Sequence, residues 1–144
     1  MAKNILGVVA GLAVWLVVAT VAGFIMRVSW PAYASVANAM TFTWPMMIAR
    51  LSIGALATIV MGVVTAAIAQ SVIVRLLPGI LMLVMFIPQH VMLREKFPVW
   101  YHLAFLLSIV PLTYLGGQIA ERNSRQRFRS RLPDKLISRR QTKK

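Results

Sequence analysis

The sequence predicts an all-α integral membrane protein: a four-helix transmembrane bundle followed by a basic cytoplasmic C-terminal tail. Three observations carry that prediction. Charge-free stretches run Asn4–Met26, Leu51–Val74, Leu76–Leu93 and Phe97–Ala120, each close to the roughly 20 helical residues that cross a bilayer's hydrocarbon core. Hydrophobic residues make up 59% of the 144, and the mean hydropathy is +0.75. A soluble domain of this size leaves too much of its surface exposed to hide so much apolar area, so lipid must be the solvent for most of it. Finally, the segment after Glu121 carries ten Lys and Arg residues against the single acid Asp134.

Each element has its own warrant. The first helix is expected over about 5–26. Lys3 and the small residues Thr20-Val21-Ala22 would suit a signal peptide, but the apolar run to Met26 exceeds the roughly 7–15 residues of a signal h-region, so a retained helix is expected. Residues 28–43 mix Trp30, Pro31, Tyr33, Ser35 and Asn38 and read as a loop on the membrane surface, where Trp and Tyr keep one edge wet. The second helix is expected over about 45–69, with Thr43 as a cap and Pro45 in the first turn, where its missing N–H is harmless. A short turn at 70–75 makes the next helix an antiparallel neighbour. That third helix, about 76–93, carries Pro78 at its start and Pro88 in its interior, where a kink is expected. After the hairpin Arg94-Glu95-Lys96, the fourth helix is expected over about 98–120, with a second kink at Pro111. Residues 1–120 thus form one transmembrane domain and 121–144 the tail.

Lys and Arg set the orientation. Lys3, Arg75 and the ten tail residues fall at one end; Arg27, Arg50, Arg94 and Lys96 fall at the other. The more basic side stays in the cytoplasm, which places the protein in a cell (inner) membrane with both termini cytoplasmic.

Small residues four apart let transmembrane backbones approach closely. Gly7 and Gly11, with Ala19 and Gly23, share a face of the first helix. Gly54, Thr58, Gly62, Ala66 and Gln70 form an unbroken stripe on the second. Ala104, Ser108, Gly116 and Ala120 mark the fourth. Packing within one bundle is the plainer use of these faces; a homo-oligomer or a membrane-protein partner is the other. The third helix lacks such a stripe and is rich in Leu and Met.

Ionisable groups inside a membrane mark transport or catalysis, and this chain has no Asp or Glu in any of the four stretches. That argues against an exporter built around a buried carboxylate, an intramembrane aspartyl protease and a carboxylate-bridged metal centre. Cysteine chemistry is excluded by composition, and no Gly-x-Ser-x-Gly elbow occurs. A non-enzymatic protein without a cofactor is expected. One constellation remains. His90 lies six residues before Lys96 and His102 six after it, so a hairpin there brings both imidazoles to similar depth. Gln89 and Tyr101 are beside them, and Arg50 enters from the same side. Imidazole takes protons near neutral pH or ligates metal and haem. Interfacial anchoring, a polar pocket for a headgroup or small anion, and a haem or metal site are the three accounts of this outer cluster.

The tail residues Arg122, Arg125, Arg127, Arg129 and Arg131 suit contact with anionic lipid headgroups, at roughly 1 kcal/mol per basic residue near the surface. Nucleic acid is disfavoured, because no aromatic stacking platform accompanies the charge. The expected function is a non-enzymatic accessory, assembly or regulatory membrane component. A small-solute transporter or channel working as an oligomer, or a haem-binding redox subunit, are the alternatives.

Overall fold

The computed structural model describes residues 1–69 and 71–131, with side chains described through 126. It is all-helical, with no strand among the described residues. The elements are α1 (Ala2–Ser29), α2 (Pro31–Ala37), α3 (Trp44–Ile68), α4 (Val72–Met92) and α5 (Val99–Arg131). Four of them, all but α2, are long and apolar enough to cross a membrane, and the protein is a multi-pass membrane protein.

The four spanning helices run up, down, up and down. Gly7 meets Ala69 and Gly11 meets Met61, so α1 and α3 are antiparallel; Gly54 meets Phe105 and Gly62 meets Thr113, so α3 and α5 are parallel. We call the end with α2 and the 93–98 connection the hairpin end, and the end with the chain's N-terminus and the α3–α4 turn the tail end.

The tail-end half is interlocked through backbone. A Cβ on Gly62 would collide with the Thr113 carbonyl, and one on Gly116 with the Ile59 carbonyl. Only glycine allows α3 and α5 to approach so closely. Gly7 and Gly11 do the same for α1 against α3, and Ala66 faces Gly117. Gly54 and Thr58 lie further along the same α3 stripe. Thr58 donates to the Gly54 carbonyl at 2.7 Å and accepts from Trp15 Nε1 at 3.2 Å. Ser108 donates to its own helix, to the Phe105 carbonyl. Ala104 is exposed, so it does not join Gly116 in the contact. Gln70 lies outside the described residues.

Several expectations are corrected. The segment 28–43 is not all loop: Pro31 starts α2, and Tyr33 and Ala37 are buried beneath it. Thr43 stands at the α3 cap position but makes no side-chain cap bond. Helix α4 begins at Val72 rather than 76, which places Pro78 inside the helix instead of in its first turn. It also packs through a small residue, since Gly79 lies against Thr113, with Oγ1 2.6 Å from a Cβ built there. Arg75 can enter the helix because it has partners: its guanidinium is paired with Glu121, and its Nε donates to the Ala69 carbonyl at the end of α3. Finally, α5 runs past residue 120 without a break to Arg131.

Candidate functional site

At the hairpin end the four spanning helices diverge around a partly open cavity of about 330 Å³. All five side chains of the predicted outer cluster line it: Arg50 on α3, Gln89 and His90 on α4, and Tyr101 and His102 on α5. On α1 the lining is Trp15, Ala19, Gly23 and Met26, and a methyl built on Gly23 would meet nothing within 4 Å. The floor is apolar. Trp15, Phe86 and Phe105 close it, with Trp15 held by Thr58 and ring centroids of Trp15–Phe86 and Phe86–Phe105 at 5.5 and 5.1 Å. Below them Met61, Met82 and Ile109 fill the bundle.

Arg50 is the cation of the site. Its Nη1 donates to the Tyr33 hydroxyl at 2.5 Å, and its guanidinium carbon lies 4.7 Å from the Phe42 ring centroid, a cation–π distance. The Tyr101 phenol lines the same cavity. No acidic side chain lines the cavity, and Arg50 has no ion pair among the described residues. Its Nε is buried without a partner. The other such atom, Thr65 Oγ1, lies against Gly11 where there is no room for a ligand.

The two imidazoles meet directly, Nδ1 to Nδ1 at 2.6 Å, and His102 Nε2 lies 3.2 Å from the Phe97 carbonyl. A carbonyl only accepts, so His102 carries its hydrogen on Nε2. In the neutral pair His102 Nδ1 is then the acceptor and His90 Nδ1 the donor. His90 Nε2 is left with no partner among the described residues. When the pair takes a proton, that nitrogen becomes a donor.

This arrangement suits an anion better than a metal. Two nitrogens bound to one zinc at roughly 2.0–2.1 Å in a tetrahedral site stand further apart than the histidine nitrogens do here. No group of three His, Cys, Asp or Glu capable of holding a metal occurs among the described residues. Guanidinium, phenol, amide and imidazole groups together supply donors, the set that recognises an oxyanion.

Sequence reasoning missed Tyr33, which it left in a surface loop, and the aromatic floor. A signal for the floor was present: Phe86 precedes His90 by four residues and Phe105 follows His102 by three, so each phenylalanine shares a helix face with its histidine. The predicted tail contacts Arg122 and Arg125 are exposed on the α5 extension. The side chains of Arg127, Arg129 and Arg131, and everything from 132 on, lie outside the described residues. Comparison of the chain with protein-family models, curated proteins and solved structures finds no match in any of the three.

Proposed function

We propose that this chain is a non-enzymatic accessory or regulatory component of a cell membrane whose working part is the hairpin-end cavity, which holds part of a membrane amphiphile. The observation that carries the reading is the cavity itself: a polar rim over an apolar floor, between all four spanning helices. Its volume is at the lower end of the roughly 300–1,000 Å³ of ligand pockets, enough for a head and a few methylenes. The closed floor favours holding a molecule over conducting one. Native mass spectrometry of protein purified in mild detergent tests this. A single retained lipid is expected; a chain that carries none, in any lipid mixture, ends the reading.

The Lys/Arg asymmetry supports cytoplasmic termini, with the basic tail resting on anionic headgroups. Single cysteines at Ser35 and Ser138, in a chain without cysteine, read this directly. An impermeant reagent on intact cells should label position 35 alone; labelling at 138 inverts the orientation. A peptide of 122–144 should leave anionic vesicles as salt screens the attraction; salt-insensitive binding rules the electrostatic account out.

A further inference from the structure

Resting on that reading, we propose that the molecule held is an anionic lipid, its head oxyanion seated on Arg50 and the first part of its chain lying over the aromatic floor. The argument starts from charge. A guanidinium drawn partly out of water into the wall of a cavity is costly to keep unless something neutralises it. The neighbours of Arg50 are a phenol hydroxyl and an aromatic ring, which carry no negative charge. Arg75 shows the contrast within this chain, since it has Glu121. Arg50 also keeps its buried Nε unused, on a residue that lines the cavity. A planar guanidinium matches phosphate or carboxylate geometry better than any other side chain.

The rest of the wall selects the same ligand. Donors come from Tyr33, Gln89 and Tyr101 around the cation, while the floor of Trp15, Phe86 and Phe105 can cover methylenes but offers an ion nothing. A free inorganic anion would use the upper half only. A lipid uses both, which is why the observations favour lipid as the source of the oxyanion.

The experiment is retention of lipid by the full-length protein, exchanged into nanodiscs of phosphatidylcholine with or without phosphatidylglycerol, then extracted at high salt. High salt weakens the exposed tail contacts, and the tail is the same in every variant. Wild type should retain one phosphatidylglycerol in preference to phosphatidylcholine. Arg50→Gln should reduce that preference by roughly ten- to hundredfold, the worth of a charge-assisted hydrogen bond. Gly23→Leu, which leaves Arg50 and Tyr33 in place and narrows the cavity from its α1 wall, should reduce retention of both lipids with thermal stability unchanged or slightly raised. It keeps the test open if Arg50→Gln fails to fold. Loss of the anionic preference in wild type, or its survival in a folded Arg50→Gln, overturns the lipid-anion assignment while leaving a ligand-binding cavity. Retention unaffected by Gly23→Leu removes the cavity from lipid binding altogether. Inorganic phosphate at millimolar concentration should neither displace the lipid nor stabilise the empty protein; if it does either, the site belongs to a soluble anion.

Discussion

The tail-end and hairpin-end halves of the bundle are made from the same four helices, but they are held together differently. In the tail-end half, glycine brings backbone onto backbone: Gly62 and Gly116 bury themselves between α3 and α5, and Gly7 and Gly11 seat α1 on α3. In the hairpin-end half, large rings span wider gaps, as in Trp15–Phe86 at 5.5 Å and Trp44–Trp100 at 4.5 Å between centroids. Glycine occurs there as well, but Gly23 faces open space. The same residue type therefore does opposite jobs. Where a glycine meets a neighbouring helix, as at Gly62 and Gly116, helices close; where it meets nothing within 4 Å, as at Gly23, it leaves room.

The comparison is broken most severely by filling the two kinds of glycine in turn. Gly62→Leu should destabilise the fold by about 3 kcal/mol or more, because backbone must move and no rotamer change can relieve the clash. The neighbouring Val63→Leu should be tolerated. Gly23→Leu should be neutral or slightly stabilising, since Leu favours helix over Gly by up to about 1 kcal/mol. Folded yield and melting temperature of the three variants in one detergent decide it, and equal loss at positions 62 and 23 would erase the distinction between the halves.

A smaller effect is expected at the tail end's ionic contact. Arg75 and Glu121 have side-chain exposures of 18% and 41%, so water screens them, and removing either should cost at most about 1 kcal/mol. A double-mutant cycle with Arg75→Gln and Glu121→Gln should give a coupling of that order; none at all would mean that Arg75 is held by the Ala69 carbonyl alone.

The smallest effect sharpens the hairpin-end half. His90→Gln should weaken lipid-anion retention by roughly a few-fold, the order of one neutral hydrogen bond, because it removes a ring whose Nδ1 meets His102 Nδ1 on the cavity wall. Retention unchanged in a folded His90→Gln would remove the histidine pair from the site.

The spanning helices were legible in the sequence because hydropathy reports the solvent directly, and lipid is a severe one. Their ends were less so. Arg75 looked like a terminus because charge normally marks the membrane edge; its partner Glu121 is 46 residues away, and no local pattern shows that. Likewise α2 was hidden in a Trp-Pro pair read only as an interface marker, although Pro31 in a first turn also starts a helix. The pairing of His90 with His102 was legible through the symmetry of the hairpin, and Arg50 through its place at the same end of the second spanning helix. Their direction was not, because the cavity exists only through the wide spacing of helices that close tightly further down.

The length of α5 has a mechanical consequence. The helix is 33 residues long, about 50 Å at 1.5 Å per residue. Pro111 lies nine residues from His102 and twenty from Arg131, so the two segments measure about 14 Å and about 30 Å. Proline is where a helix bends most readily. Thr113 and Gly116, just past Pro111, are locked against α3, so a bend at Pro111 moves the arm that lines the cavity while the arm that carries the cationic end stays clamped.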